Sequence, residues 1–204
     1  MKRLLLIVLP LLPIVGCSKP INENSLIDRN GVKYQQDSQK PYSGEIFDLY
    51  SNGNIRIEGS YIDGKKSGLW TEWYEDGWKK EEGTCKDGEL DGLVTFWDKN
   101  GHKSEGTYKN GKKEGLFTFW DENGEKKGQG TFRDDGIIEG FFTFWYDNGQ
   151  KMGEGSVIDG KLDGLITRWY ENGQKKSEGT NKDGKKDGLV TYWYENGQKK
   201  SEGI

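Results

Sequence analysis

The 204-residue sequence is polar for a folded protein, since only 31% of its residues are hydrophobic and 31 residues are glycine. An ordinary compact domain carries about 45–50% apolar residues, with glycine counted among them. Disordered chains are poor in aromatic residues, whereas this one has 8 Trp, 10 Tyr and 8 Phe. The formal charge of −4 does not fit the basic surface of a typical nucleic-acid-binding protein. We therefore expect a folded protein with a thin core and no nucleic-acid partner.

Residues 1–16 have the pattern of a secretory leader. Two basic residues precede an apolar run over Leu4–Val15, which contains two prolines and is too short to cross about 30 Å of hydrocarbon as a helix. The letters IVGC at 14–17 resemble the lipobox of bacterial lipoproteins, which implies cleavage before Cys17 and lipid attachment to that residue. We predict a lipoprotein signal peptide at 1–16, a lipidated Cys17 with a polar tether over 17–28, and a bacterial cell-envelope location, at the outer membrane if the cell has two. An ordinary cleaved signal is the alternative.

A repeat of about 24 residues runs through the predicted domain at 29–204. The eleven residues WYENGQKKSEG at 169–179 return unchanged at 193–203. Alignment on the glycine that opens GLVTYW places the starts of the units at Gly44, Gly68, Gly92, Gly115, Gly140, Gly164 and Gly188. A short fixed period of this kind indicates stacked units, each stable only against its neighbours.

Each unit carries two turn signals. One series is Asn52-Gly53, Asp76-Gly77, Asn100-Gly101, Asn123-Gly124, Asn148-Gly149, Asn172-Gly173 and Asn196-Gly197. The other is Asp63-Gly64, Asp87-Gly88, Asn110-Gly111, Asp135-Gly136, Asp159-Gly160 and Asp183-Gly184. Both dipeptides favour two-residue type I′ hairpin turns, and the four glycines per unit would cost a helix nearly 1 kcal/mol each. The predicted fold class is all-β, an elongated single-layer antiparallel meander of repeated β-hairpins.

The strands carry regular columns of side chains. One column forms a tryptophan ladder, with leucines and threonines at alternate positions on the same face, and it contains Trp73, Trp97, Trp120, Trp145, Trp169 and Trp193. The opposite face carries Ile46, Trp70, Val94, Phe117, Phe142, Ile166 and Val190. We expect the ladder rings to stack on one another in place of a core, with glycines paired across the strands beside them. In the alternative, part of the ladder lines a groove for a peptide, a glycan or a partner strand.

The residue types that carry chemistry do not form a constellation in this sequence. Cys85 stands where other units have Tyr61, Tyr108 or Phe132, and we interpret it as a small apolar filler. His102 follows a turn at a position where other units have Gln or Glu, which is typical of an exposed residue. The lysine that follows each turn is expected to pair with tyrosines, as Lys175 with Tyr170, and with glutamates; anionic lipid or polysaccharide is the alternative partner. We predict no catalytic, cofactor or metal site.

The consensus GLxTxWYENGQKKSEGTYKDGKK resembles the variant MORN repeat, as found in bacterial proteins of the YwqK-type antitoxin family, over residues 29–204. This resemblance implies a twisted run of hairpins with a protein- or membrane-binding role and no catalysis. The leading hypothesis is a non-enzymatic, lipid-anchored binding or scaffold protein of the cell envelope with a protein partner. One alternative is an antitoxin or immunity protein whose partner is a toxin, and another is glycan or cell-wall binding along the ladder.

Overall fold

The structure, a computed structural model, describes residues 19–133 and 137–204. Within these ranges the chain is an antiparallel meander in which sixteen strands form one sheet. The predicted fold class is therefore confirmed. The predicted leader, the lipidation site at Cys17 and the turn at Asp135-Gly136 lie outside the described residues.

From Gly44 onward the strands follow one another across the sheet in chain order, except that the two-residue strand Lys161–Leu162 pairs only with the strand before it. Their bounds, with a short 3-10 helix η1, are β1 Ile21–Asn22, η1 Glu23–Ser25, β2 Leu26–Arg29, β3 Val32–Gln35, β4 Gly44–Leu49, β5 Ile55–Ile62, β6 Lys65–Trp73, β7 Lys79–Lys86, β8 Glu89–Trp97, β9 Lys103–Lys109, β10 Lys112–Trp120, β11 Lys126–Arg133, β12 Ile137–Trp145, β13 Lys151–Ile158, β14 Lys161–Leu162, β15 Gly164–Trp169, β16 Lys175–Lys182, β17 Lys185–Trp193 and β18 Lys199–Gly203. Each unit from β4 onward therefore contributes one hairpin and the link to the next.

The two series of turns differ in type. In the second series both central residues have positive φ, as in Asp63 at 48° and Gly64 at 76°, so the prediction of type I′ turns is confirmed there. In the first series only the glycine has positive φ, and the loop contains three residues. The N–H of Gly53 donates to the carbonyl of Tyr50, and the N–H of Tyr50 donates to the carbonyl of Asn54. This is a type I turn closed by a glycine bulge, so the type I′ prediction is wrong for this series.

The core lies on the sheet face opposite the tryptophan ladder. One buried column, 0–9% exposed, consists of Ile46, Trp70, Val94, Phe117, Ile166 and Val190. A second buried column, 3–9% exposed, consists of Tyr61, Cys85, Phe132 and Val157. Rings of the two columns meet edge to face, as Phe117 and Phe132 do with centroids 5.1 Å apart. Leu26 and Tyr42 of the N-terminal segment join this core at the first units, and beyond them the described residues place no second layer over the sheet.

A glycine on the preceding strand makes room for each side chain of the first buried column from Trp70 to Val190. Gly106 of β9 lies directly opposite Phe117 of β10, and a Cβ added to it would come within 2.5 Å of Cδ1 of the ring. The register shifts between Glu114 and Phe117, where Gly115 has a φ of 79°, and this bulge places the ring over Gly106. The predicted pairing of glycines beside the ladder is therefore wrong, because the in-strand glycines face the core.

The tryptophan ladder is not a stacked core. All six of its members are only partly buried, and the aromatic ring contacts of the described residues include no pair of them: Trp73, Trp97, Trp120, Trp145, Trp169 and Trp193. The physical reason is spacing, since successive tryptophans lie two strands apart, about 9–10 Å. The intervening strand places a lysine between them, as Lys103 pairs with both Trp97 and Trp120.

The N-terminal segment caps the first hairpin. β1 pairs in parallel with β4, and β2–β3 forms a separate hairpin whose Lys33 N–H donates to the carbonyl of Gly64. Asp48, which departs from the repeat, is buried and accepts a hydrogen bond from Nδ2 of Asn24 at 2.6 Å. Residues 21–28, predicted to belong to the tether, instead form β1, η1 and the start of β2, and Leu26 is buried in this cap.

Candidate functional site

A stripe of exposed apolar side chains runs along the ladder face of the sheet. We call it the leucine stripe, and its members, each 51–60% exposed, are Leu69, Leu93, Leu116, Phe141, Leu165 and Leu189. A threonine or serine lies between successive members, as Thr84 lies opposite Leu69. With units two strands apart, the stripe is about 50 Å long. A regular row of exposed apolar side chains on one face is a candidate interaction surface.

Beside the stripe, the tryptophan ladder is part of a repeated polar network. In the unit of Lys175, Nζ lies 5.8 Å from the ring centroid of Trp193 and 2.5 Å from Oε2 of Glu178. Glu178 in turn accepts a hydrogen bond from Oγ1 of Thr167 at 3.3 Å. The predicted pairing of this lysine column with glutamates is confirmed, whereas the partner of Tyr170 is Lys176 and not Lys175.

Neighbouring units are also joined at the three-residue turns. The tyrosine after a ladder tryptophan donates its hydroxyl to the carbonyl of the next unit's tryptophan, as Tyr170 does to Trp193 at 2.9 Å. The same bond is made by Tyr50, Tyr74 and Tyr146. Each such hydrogen bond contributes about 1 kcal/mol to stability. The phenol ring of the same tyrosine fills the space between the two turns.

Two adjacent units lack this tyrosine and have Asp98 and Asp121 instead. A cavity of about 810 Å³ opens there between the indoles of Trp97 and Trp120. A second cavity of about 810 Å³ adjoins it on the side of Trp78, whose side chain is 76% exposed. Both cavities are lined by Trp97, Asp98 and Glu122, and together they form what we call the central groove.

Charged side chains cross the central groove from unit to unit. His102 bridges Asp98 and Glu122 at 2.8 and 3.2 Å, and its pKa is raised mainly by the hydrogen bond to Asp98. Lys127 contacts Asp121 at 2.8 Å and Asp147 at 2.9 Å, and the hydrogen bond to Asp121 is the main cause of its raised pKa. The same bond lowers the pKa of Asp121. Ion pairs thus replace the tyrosine contact in these two units.

The pKa of His102 measured by NMR is expected to lie above the value of about 6.5 found for a free histidine side chain. Because the pKa is raised in the folded state, the bridge stabilises the fold below about pH 6.5 and is lost as the pH rises through the folded pKa. Asp98→Asn should lower that pKa, and Glu122→Gln should lower it less. His102 is the chain's single histidine, so its ring resonance needs no assignment. A pKa at or below 6.5 would contradict the bridge.

Cys85 is buried in the core, and burial raises the pKa of its thiol. Its interpretation as an apolar filler agrees with this position, because a raised pKa leaves little thiolate at neutral pH.

Across the described ranges, no cluster of three or more histidine, cysteine or acidic side chains is arranged to hold a metal ion. None of the helices in the described part of the chain is long and apolar enough to span a membrane.

The six candidate contact residues predicted from the sequence all lie on the ladder face, beside the leucine stripe. Neither the stripe nor the residues of the central groove were predicted as a site. A signal for the groove was present, because Asp98 and Asp121 interrupt a column of tyrosines and Trp78 interrupts a column of polar residues. His102 does lie at a turn, as predicted, but it bridges two carboxylates there.

The fold and these surfaces define a repeat protein built from stacked β-hairpins. The MORN repeat variant family matches residues 66–87, 90–110, 113–134, 162–183 and 186–204, just over half of the chain. The chain therefore belongs to this family, which is typically non-enzymatic and whose repeats suggest a binding or scaffold role. A comparison with the curated proteins gives no match.

Proposed function

We propose that the protein is a non-enzymatic scaffold of the bacterial cell envelope, held to the membrane by lipid on Cys17, and that the leucine stripe binds a protein partner. The observation that carries this proposal is the exposure of six large apolar side chains in one row on an uncovered sheet face. Exposed large apolar side chains of a soluble monomer are usually scattered singly, whereas these recur in one row, separated only by threonine or serine. An extended partner surface laid along the strip would remove it from solvent.

The arrangement suits a scaffold because the stripe lies on a rigid sheet. Each of its side chains projects from a strand paired on both sides, as β8 is paired with β7 and β9. Little conformational entropy is then lost on binding, which favours affinity for a given buried area. The core on the opposite face is independent of the stripe, so the stripe can be altered with little effect on folding.

The stripe is tested by photo-crosslinking in intact cells. A photoreactive amino acid at Leu93 or Leu116 is expected to give one discrete crosslinked product, and the same amino acid at Lys186, on the opposite face, is the control. In the protein that carries the photoreactive amino acid at Leu93, the pair Leu69→Glu and Leu116→Glu should abolish that product while the circular dichroism spectrum is retained. If the product forms equally from Lys186, or from neither stripe position, the proposed function is wrong.

The anchor is tested in the same cells. Cys17→Ser is expected to move the protein from the membrane fraction to the soluble fraction and to abolish labelling by a radioactive fatty acid, with Cys85→Ala as the control. A toxin as the crosslinked partner would make the protein an antitoxin, and co-expression with that toxin should then restore growth. Unchanged fractionation and labelling of Cys17→Ser would refute the lipid anchor.

A further inference from the structure

The units that depart from the repeat are adjacent, and their departures meet at one place. Tyrosine follows the ladder tryptophan in four units, and Leu49 in the first unit, but is replaced by Asp98 and Asp121 in two consecutive ones. Trp78 stands in the unit before them, at a turn position where the other units have Asn, His, Glu or Gln. The other units show that the fold does not require these changes. All three of these residues line the central groove.

The centre of the groove is a tryptophan whose face lacks the usual cation. From Trp120 to Trp193, each ladder tryptophan has a lysine Nζ within 4.4–5.8 Å of its ring centroid, and these lysines are Lys103, Lys126, Lys151 and Lys175. Among the described contacts no cation lies over Trp97. The equivalent lysine, Lys79, is paired with Glu82 as Lys175 is with Glu178, but it makes no contact with the face of Trp97 among those described. Trp97 therefore has an open position of the kind that cations fill in the following units.

The charge around this position is negative. In the cavity beside Trp97, five carboxylates are balanced by only two lysines and His102, and the carboxylates are Asp98, Asp121, Glu122, Glu125 and Asp147. Asp98 and Asp121 each accept two backbone N–H bonds within their own turn, so one oxygen of each is used to hold the turn. Glu122 and Asp147 are 57% and 97% exposed, and each uses one oxygen in its ion pair with His102 or Lys127, so the second oxygen of each can accept from a ligand.

We propose that the central groove binds an arginine side chain from a basic segment of a protein partner. The guanidinium lies over the indole of Trp97 and donates hydrogen bonds to Glu122 and the neighbouring carboxylates. A planar guanidinium stacks on an indole and pairs with carboxylates through several N–H groups at once, which a lysine ammonium does less well. This inference rests on the proposed binding role and adds a second contact site, distinct from the leucine stripe, with a stated partner chemistry.

The probe is the peptide N-acetyl-(Gly-Arg)₃ amide, titrated into the protein by calorimetry. Saturable binding is expected, weakened at least fivefold when salt is raised from 50 to 300 mM, since screening acts on exposed charges. The matching glutamate peptide should not bind, and the lysine peptide should bind more weakly. Absence of saturable binding by the arginine peptide would overturn the proposal. Binding of an N-acetylglucosamine trimer in its place would show a glycan site and overturn it as well.

The decisive variant puts the tyrosines of the other units back at the two aspartate positions, so that their rings fill the groove. The pair Asp98→Tyr and Asp121→Tyr gives these units the residue found in the others, so folding should be retained and arginine-peptide binding should fall at least tenfold. Trp97→Leu and Glu122→Gln should each weaken binding of the arginine peptide about threefold to tenfold. These single variants test the site if the double variant does not fold. Glu171→Gln, at the position equivalent to Glu122 in a consensus unit, is the matched control. Equal binding by the double variant and the wild type would refute the site.

The outcomes separate this inference from the proposed function. Loss of peptide binding in the groove variants should leave crosslinking from Leu93 in place, because the groove lies at the three-residue turns and the stripe lies near the middle of the strands. A crosslinked partner without peptide binding would support the scaffold role and refute the arginine site. Peptide binding without a crosslinked partner would support the arginine site and refute the scaffold role of the leucine stripe.

Discussion

Phe117→Ala is expected to lower the free energy of unfolding by about 3–5 kcal/mol, measured by urea denaturation followed by circular dichroism. Phe117 is 1% exposed, and its ring contacts Phe132 and Tyr108 at centroid distances of 5.1 and 5.6 Å. Removing it leaves a cavity in a core one side chain thick. No second layer in the described residues is available to relax into that space.

Two neighbours on the same strand serve as controls. Leu116→Ala removes a side chain that is 54% exposed and should cost no more than about 1 kcal/mol. Trp120→Ala removes a half-buried ladder residue and should cost less than Phe117→Ala, because the loss depends on how much surface was buried. If Trp120→Ala were the more destabilising change, the assignment of the core to the face opposite the ladder would be wrong.

Gly106→Ala is expected to destabilise the protein by about 1–3 kcal/mol, whereas the equivalent Gly130→Ala should be neutral or slightly stabilising. A Cβ at residue 106 would meet Cδ1 of Phe117 at 2.5 Å, which forces the ring or a strand to move. At residue 130 the nearest atom would be Cγ2 of Ile138 at 3.8 Å, an ordinary contact, and alanine reduces the entropy of the unfolded chain. Neither glycine is in a positive-φ conformation.

The cause of the Gly106 effect can be isolated with a double-mutant cycle, since coupling between contacting residues is measured in this way. In the background of Phe117→Ala, Gly106→Ala should lose most of its cost, because the ring that it would strike is gone. Equal costs in both backgrounds would assign the effect to the backbone. The same urea denaturation experiment measures all four proteins.

The sequence was a reliable guide wherever the cause of a structural feature is local. The period near 24 residues, the two turns per unit and the column assignments depend on residues within one hairpin, and the structure agrees with them. The turn types show a feature that the local sequence alone did not predict. Asp63-Gly64 and Asn52-Gly53 present nearly the same dipeptide, but the second is drawn into a three-residue loop by the hydrogen bond from Gly53 to Tyr50.

The central groove could not be read in the same way, because its walls come from different units. Asp98 and Glu122 are 24 positions apart, and His102 joins them only when two turns are stacked. The interruption of the tyrosine column identified the place but not the cavity. The cavity exists because two tyrosine rings that fill this space in other units are missing here. Its volume also depends on how closely the adjacent turns approach each other.

By itself the sequence determined that this chain is a run of β-hairpins, since the repeat, the turn dipeptides and the alternation of side chains are all local properties. It did not determine which face is the core, because both faces carry a regular apolar column and the alternation is the same for each. The tertiary structure decided this through the bulge at Gly115 and its equivalents, which sets Phe117 over Gly106 across the strands. The ladder face, where lysines separate the tryptophans and the leucines stay exposed, was thereby left open for binding.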